Sequence, residues 1–179
     1  MKTGQIMMVA AVLCCWLGSA HAQVRRREPL TPEEIDQLRD AAMNPDARLK
    51  LFTRFARARL VSLEQMRNDP KATDRGRLTH DRLQEFVDIY DELNENIDNF
   101  IDRKEDMRKP LKSVIEADNE FQAKLLALKS APDAGAKEAE QYRFLLDNAL
   151  EAVGSGVQDH KQLLVEQEEV AKHRGKGKS

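Results

Sequence analysis

The histidines and carboxylates of this chain are the side chains best suited to bind a metal or move a proton. His80, His160 and His173 lie beyond the N-terminal segment. A ferritin-like iron site would need a glutamate three residues before a histidine on each of two helices, but arginine or valine stands at that place before all three histidines. The spacing therefore predicts no iron site, and the sequence predicts no cofactor.

His160 is open to two interpretations. It falls on the apolar row of a predicted helix, where we expect a core or boundary histidine. The alternative is a metal ligand or a pH-sensing group, because histidine is the side chain that changes charge near neutral pH.

A run of acidic residues between Asp81 and Asp102 is the second open case. Calcium loops use a D-x-[DN]-x-[DN]-G pattern that wraps oxygen atoms around the ion, and the sequence has no such pattern. We interpret the run as a solvated face that complements a basic helix, with a cation site as the alternative.

Catalytic motifs are missing from the sequence. It has neither a G-x-S-x-G nucleophile motif nor a glycine-rich phosphate loop. The 29 basic and 31 acidic residues nearly balance, to a net charge of −2, which argues against a dedicated nucleic-acid-binding protein. We therefore predict a protein that is not an enzyme, has no catalytic residue and does not bind nucleic acid.

The first 22 residues have the organisation of a secretory signal peptide. Lys2 supplies the charged start, residues 6–17 the apolar stretch, and Ala20-His21-Ala22 the cleavage motif. A bilayer span needs roughly 20 apolar residues, so the stretch predicts export and cleavage near Ala22, not a transmembrane segment. We expect the mature protein in the periplasm or secreted.

Both cysteines, Cys14 and Cys15, lie in this segment. Cleavage near Ala22 would leave a mature chain without disulfides, thiolate metal sites or thiol nucleophiles. Lipidation of Cys14 or Cys15 is the alternative, although a lipoprotein signal prefers a small residue before the modified cysteine and Leu13 stands there.

The composition of the remaining chain favours helices. Aromatic residues make up 5% and charged residues 34% of the sequence, and no stretch alternates with the period of a strand. We predict a flexible basic arm at residues 23–30, one helical domain at residues 31–173 and a disordered basic tail at residues 174–179. The two basic ends could make weak contact with anionic surfaces.

The first predicted helix runs from Thr31 to Asn68. Thr31 and Glu34 form a capping box with Pro32 at the first helical position. The dipeptide Asn44-Pro45 marks either a second helix start or a kink.

The next predicted helix, from Arg77 to Lys129, carries an unbroken seven-residue repeat. Its rows keep spacings of three and four, which is the pattern of a coiled-coil seam. Lys104 and Asp118 are its only charged members, and Pro110 lies inside the register, where it predicts a kink. The rows are Leu83, Tyr90, Ile97, Lys104, Leu111, Asp118 and Leu125, and Phe86, Leu93, Phe100, Met107, Val114, Phe121 and Leu128.

We predict an all-α fold, an elongated antiparallel bundle of three long kinked helices, the last of which runs from Ala134 to Lys172. The alternative is a four-helix bundle with a true break at Pro110. Reversals near Ala72 and Pro132 would set Pro110 beside the Gly154-Ser155-Gly156 segment. We interpret that segment as a close helix approach, with a functional hinge as the alternative.

Charge supports the first of these pairings. The helix after Pro45 is rich in arginine and lysine, and its antiparallel partner carries the acidic run between Asp81 and Asp102. Exposed ion pairs contribute only about 0–1 kcal/mol each, so they select a partner more than they stabilise it.

Counting residues outward from each predicted reversal shows which positions would lie side by side. This count predicts that each end of the bundle is only two helices thick. Apolar side chains would then stay open to water, and a contiguous exposed patch usually marks a contact site. We therefore expect a homodimer or a helical protein partner. The side chains expected to be open are Phe86, Leu93, Phe121, Leu125 and Leu128.

Two short segments carry a family resemblance. Leu30-Thr31-Pro32-Glu33-Glu34 and Leu78-Thr79-His80-Asp81-Arg82 resemble the paired L-T-x-x-Q motif of the small helical periplasmic chaperones and stress sensors of the Spy/CpxP type. Both copies lack the glutamine, with Glu34 and Arg82 in its place. The resemblance implies a concave client-binding surface on a helical dimer.

The sequence thus predicts an exported, non-catalytic helical interaction or scaffold protein of the bacterial envelope. A periplasmic chaperone or stress adaptor is the alternative. Partners would be proteins or second copies bound through helical surfaces.

Overall fold

The computed structural model describes residues 28–131 and 135–176, and these residues form helices with no strand among them. The predicted signal peptide, the arginines of the predicted basic arm, Pro132 and the last residues of the predicted tail lie outside the described residues. The helices are α1 (Pro32–Asp40), α2 (Pro45–Asn68), α3 (Arg75–Asp102), α4 (Arg108–Ser130), α5 (Ala136–Glu140) and α6 (Arg143–Lys176).

The start of α1 confirms the predicted capping box. The Glu34 N–H donates to Thr31 Oγ1 at 3.2 Å, and the Thr31 N–H donates to Glu34 Oε2 at 2.9 Å. Asn44 caps α2 in turn, since its Oδ1 accepts the Ala47 N–H at 3.0 Å. The dipeptide Asn44-Pro45 is therefore a second helix start, and the first predicted helix is two helices joined by a short turn.

The predicted continuous helix from Arg77 to Lys129 is wrong, because the chain leaves the helix after Asp102. Lys104 has a φ of 61°, in the left-handed region. The Glu105 N–H donates to the Phe100 carbonyl at 3.1 Å, and the Lys104 N–H donates to the Ile101 carbonyl at 2.8 Å. This pair of bonds is a Schellman motif, which ends a helix by satisfying its last carbonyl groups.

Pro110 does not make the break, contrary to both predicted versions of this segment. It is the third residue of α4, within the first turn, where the backbone N–H has no partner inside the helix. Proline is tolerated there because it gives up no helical hydrogen bond. The interruption lies at residues 103–107, before Pro110.

The last predicted helix is also divided. A turn at Gln141 and Tyr142 separates α5 from α6, which continues to Lys176, past the predicted end at Lys172 and into the predicted tail. Gly175 does not stop α6, because a glycine ends a helix by adopting a positive φ, and no described glycine has one.

The seven-residue repeat correctly predicts the buried face of both α3 and α4. Every apolar member of its two rows is at most 9% exposed. Lys104, which interrupts one row, lies in the exposed turn between the helices. The repeat therefore identified the residues of the core but not the continuity of the helix that carries them.

Side-chain contacts give the relative directions of the helices. Arg48 bonds Asn96 and Arg67 bonds Thr79, so α2 and α3 are antiparallel about a reversal near Ala72, as predicted. Tyr90 contacts both Asp118 and Phe121. The packing of Phe86 on Phe121 across the core shows that α4 runs antiparallel to α3.

The second predicted reversal is misplaced. Asp118 contacts His160 and Lys129 contacts Asp147, so α4 and α6 are antiparallel about a point near α5, not about Pro132. The short helix and its turns lengthen the connection, and Gly154 therefore lies beside Gln122, not beside Pro110.

The basic face of α2 is shared among several partners. Arg59 pairs with Glu85 of α3 at 3.5 Å. Other α2 side chains pair elsewhere, Arg57 with Glu120 of α4 at 2.9 Å and Arg67 with Glu138 of α5 at 2.9 Å. The predicted antiparallel pairing of α2 with α3 is correct, but the arginines of α2 also form ion pairs with α4 and α5.

The expected exposed apolar patch is absent from the described residues. The five side chains predicted to be open to water are at most 9% exposed, because α2, α3, α4 and α6 all contribute to one core. They therefore supply no argument for a partner. None of the helices in the described ranges combines the length and apolar character needed to cross a membrane.

Candidate functional site

Asp118 is the centre of the candidate site, and its burial is the feature that sets the site apart. It is 0% exposed at a position where the seven-residue repeat calls for an apolar side chain. A buried carboxylate must be paired or hydrogen-bonded, because its transfer out of water is otherwise very unfavourable.

Two buried side chains supply that pairing from different helices. The Tyr90 hydroxyl on α3 donates to Asp118 Oδ1 at 3.0 Å, and Nδ1 of His160 on α6 lies 2.7 Å from Asp118 Oδ2. With its proton on Nδ1, the imidazole donates to the carboxylate. Tyr90 is 1% and His160 3% exposed, so the three side chains link α3, α4 and α6 inside the core. We call these three residues the polar chain.

The tyrosine of the polar chain is held in its protonated form. Burial raises the pKa of Tyr90 well above its ordinary value of 10.0, and the negative charge of Asp118 and the hydrogen bond to it act in the same direction. The hydroxyl therefore stays a hydrogen-bond donor across the pH range in which proteins work.

Packing around the polar chain fixes its geometry. The Tyr90 ring stacks on Phe86 with ring centroids 5.9 Å apart, and Phe121 meets the Phe86 ring edge-on at 5.4 Å. Gly156 of α6 lies against the Tyr90 hydroxyl, and a Cβ at that position would overlap it. The close-approach interpretation of the glycine segment is confirmed at Gly156, with Tyr90 as the neighbour.

The polar chain has the components of an Asp–His dyad, in which a carboxylate orients an imidazole for proton transfer. Such a dyad acts on a substrate only if the imidazole reaches the reacting group. His160 is 3% exposed and enclosed by the core. The arrangement is suited to joining helices and not to transferring protons to a ligand.

The three histidines are not brought together. His80 is an exposed residue near the start of α3, with Nδ1 3.6 Å from Asp81 Oδ1. His173 is exposed in the last turns of α6. Within the described ranges, no three His, Cys, Asp or Glu side chains are grouped so that they could hold a metal ion.

The acidic run between Asp81 and Asp102 lies along α3. Its members have neighbours on the same helix: Arg77 bonds Asp81 at 3.1 Å, and Gln84 bonds Asp88 at 2.9 Å. Burial and the nearby carboxylate of Glu95 raise the pKa of Glu92. This face therefore combines like-charge crowding at Glu92 with arginine pairing at Asp81 and Glu85.

Arg59 forms a second polar cluster, which joins the two segments that resemble the L-T-x-x-Q motif. Its Nη2 lies 2.6 Å from Glu34 Oε2 and its Nε 3.5 Å from Glu85 Oε2. Arg82 bonds the same Glu85 at 2.7 Å. The last residues of the two segments, Glu34 and Arg82, are thus connected through Arg59 and Glu85.

The same cluster borders a shallow groove of about 260 Å³. Leu30 and Thr31 line it together with Arg59 and Arg82, and the Pro29 carbonyl accepts a hydrogen bond from Arg59 at 2.8 Å. Leu30 packs against the core, so the last residues of the predicted flexible arm are held in place.

A larger open groove of about 860 Å³ lies where α2 and α4 begin. Its charged side chains pair with one another: Lys109 bonds Asp46 at 2.8 Å and lowers the pKa of that carboxyl, and Lys112 lies 3.5 Å from Glu168. Because four acidic and four basic residues line it, the groove has no net preference for an anion or a cation.

The sequence marks two members of the polar chain, Asp118 and His160, but not their connection. Asp118 stood out as a charge in an apolar row, and His160 as a histidine on an apolar face. The usable signal was that two such exceptions fall on different predicted helices, where each could satisfy the other. Tyr90 gave no signal, because tyrosine is common in cores.

Comparison with known proteins assigns no relative. No protein-family model matches the chain, and no curated protein or solved structure matches it at a significant level.

Proposed function

We propose that this chain is an exported, non-catalytic interaction or scaffold protein of the bacterial envelope, built as a four-helix bundle of α2, α3, α4 and α6. Export rests on the signal-like organisation of the first 22 residues. The bundle rests on the antiparallel contacts of α2 with α3 and of α4 with α6.

The observation that carries the non-catalytic assignment is the internal use of the polar chain. Asp118 and His160, which have the chemistry of an acid–base dyad, contact each other at 2.7 Å in the core, and the Tyr90 hydroxyl bonds Asp118 at 3.0 Å. They join three helices there, and a protein whose function is to present a rigid helical surface needs such internal links.

The partner surface is proposed on the outer face of the bundle, where a few large apolar side chains remain open. Phe144, in the first turn of α6, is 86% exposed, the highest value among the exposed large hydrophobic residues of the described ranges. An aromatic side chain held open to water on a stable helix is the residue type enriched at protein interfaces.

Site-specific photocrosslinking in the intact envelope tests this proposal. A photoreactive phenylalanine at position 144 should give one discrete crosslinked product, and the same group at the exposed position of Gln158 should give none. An identical pattern from both positions, or no product from position 144, would contradict it.

A chaperone function is the second candidate, and the Arg59 cluster favours it. The two segments that resemble the Spy/CpxP motif come together at one groove through Glu34, Arg59, Glu85 and Arg82. A shared surface is what the resemblance implies for a client-binding protein.

An aggregation assay separates the two functions. A chaperone should suppress the aggregation of a reduced or heat-treated client at substoichiometric amounts, and Leu30→Ser at the groove should weaken that suppression. Leu126→Ser, on an exposed face outside that groove, is the matched control. A scaffold protein should leave client aggregation unchanged.

A further inference from the structure

The break between α3 and α4 does not interrupt the seven-residue repeat, and this has a structural consequence. Phe100 of α3 and Met107 of α4 are one heptad apart, and they are 3% and 0% exposed. If residues 103–107 became helical, α3 and α4 would form one helix with both core faces on the same side. If the apolar rows of α4 were out of register with those of α3, a continuous helix would point the two apolar faces in different directions.

The sequence of the break is itself compatible with helix. Residues 103–107 are Arg-Lys-Glu-Asp-Met, which include good helix formers and neither glycine nor proline. The turn depends on Lys104 at a φ of 61°, a conformation that favours glycine and disfavours a side chain. The turn is therefore short and locally strained, and such hinge loops promote the exchange of identical elements between copies.

We propose that this chain also forms a dimer in which two copies exchange their α4–α6 hairpins. In that dimer residues 103–107 continue the helix from α3 into α4, and the hairpin of one copy packs against α2 and α3 of the other. The partner is a second copy of this chain, because only its α4 and α6 reproduce the contacts of the closed form. The bond from Tyr90 to Asp118 and the ion pair of Glu64 with Lys124 then join two chains.

Pro110 opposes the exchange and so shifts the equilibrium from the exchanged dimer toward the closed monomer. In the closed form it occupies the first turn of α4, where proline is tolerated. In a continuous helix its missing N–H would leave the Asp106 carbonyl without a partner, and its ring would crowd that turn. The strained Lys104 turn favours exchange, and Pro110 favours the closed monomer.

Two substitutions at the break should therefore act in opposite directions. Pro110→Ala removes the obstacle to a continuous helix and should raise the fraction of a species with twice the mass of one chain, relative to the parent, in light scattering, with higher helix content by circular dichroism. Lys104→Gly relieves the strained turn and should keep the protein monomeric, also when it is combined with Pro110→Ala. Thermal unfolding of each variant establishes that it is folded.

Crosslinking between chains identifies exchange as opposed to side-by-side pairing. Lys124 Nζ on α4 lies 2.8 Å from Glu64 Oε1 on α2. Two Pro110→Ala proteins, one with Glu64→Cys and the other with Lys124→Cys, are refolded together with Cys14 and Cys15 changed to serine. A short bismaleimide should link the two chains if hairpins are exchanged.

Three results would overturn the proposal. They are a folded Pro110→Ala protein that stays monomeric after refolding at high concentration, a dimer that Lys104→Gly fails to reverse, and a dimer that gives no link between positions 64 and 124.

Discussion

Asp118 shows how a single residue can be both unfavourable for stability and structurally decisive. A carboxylate at 0% exposure is tolerated only because Tyr90 and His160 both bond it. Buried ionic groups of this kind are weak contributors to stability, but removing one partner leaves the others without compensation. The consequences can be measured at each member of the polar chain.

Substitution of Asp118 with leucine should destabilise the protein by about 3 kcal/mol, the low end for breaking a buried pair. The Tyr90 hydroxyl and the His160 imidazole would lose their acceptor inside the core. Urea unfolding monitored by circular dichroism measures the change.

The triple variant Tyr90→Phe, Asp118→Leu and His160→Leu provides the control, and it should recover most of the lost stability because no buried polar group is left unpaired. A single variant as stable as the parent would contradict the assigned pairing.

Tyr90 should make the protein sensitive to alkaline pH. Its folded-state pKa is raised above the ordinary 10.0 by burial and by Asp118. In the unfolded chain the phenol ionises at its ordinary pKa while the folded chain retains the proton. The stabilising contribution of Tyr90 to the free energy of unfolding is therefore complete below about pH 10 and is lost as the pH rises further.

Unfolding experiments between pH 8 and pH 11 should show that the free energy of unfolding falls less steeply with pH in Tyr90→Phe than in the parent. Tyr142→Phe, which changes the other tyrosine, is the control. Equal slopes for the Tyr90→Phe variant and the parent would exclude this contribution.

At the scale of the elements, the contact between α3 and α6 depends on one glycine. Gly156 leaves room for the Tyr90 hydroxyl, whereas a Cβ at Gly154 would lie 3.7 Å from Gln122 Nε2, an ordinary contact distance. The two glycines are two residues apart in the same helix, so they experience the same gain in helix propensity when changed to alanine.

Gly156→Ala should therefore destabilise the protein, while Gly154→Ala should stabilise it by up to about 1 kcal/mol. The added methyl group at position 156 displaces the Tyr90 hydroxyl from Asp118, whereas the one at position 154 only improves the helix. Thermal unfolding of the two variants measures the difference.

Tyr90→Phe in the Gly156→Ala background removes the overlapping hydroxyl and should restore part of the loss. If the two alanine variants have the same stability, Gly156 does not control the approach of α6 to α3.

The whole molecule buries the surface that the sequence assigned to a partner. Leu125 is 0% exposed, and the adjacent Leu126 is 50% exposed. Side chains of α2, α3, α4 and α6 all contribute to one core, so the five side chains predicted to be open to water are buried there. The two leucines form a matched pair that distinguishes a core from an interface.

Leu125→Asp should unfold the protein or lower its stability by at least about 3 kcal/mol, because an unpaired charge would be buried. Leu126→Asp should change stability by no more than about 0.5 kcal/mol. Circular dichroism melting curves test both. A Leu125→Asp protein that keeps its melting temperature and changes only its mass would show that Leu125 lies at an interface and not in the core.

The sequence alone determined the helical class, the cap at Thr31 and the inward face of α3 and α4. These are local properties: a cap depends on residues three apart, and a seven-residue repeat defines a face whether the helix continues or folds back. The same locality explains why the first reversal near Ala72 was predictable, since a proline-containing turn marks it.

Only the tertiary structure decided where the long helix ends and which buried groups meet. The turn at Lys104 has no glycine to announce it, and it persists because the returning α4 buries Met107, Leu111 and their neighbours in the common core. The polar chain likewise requires residues separated by 28 and 42 positions. Such contacts depend on the reversal of the chain, which local propensity does not specify.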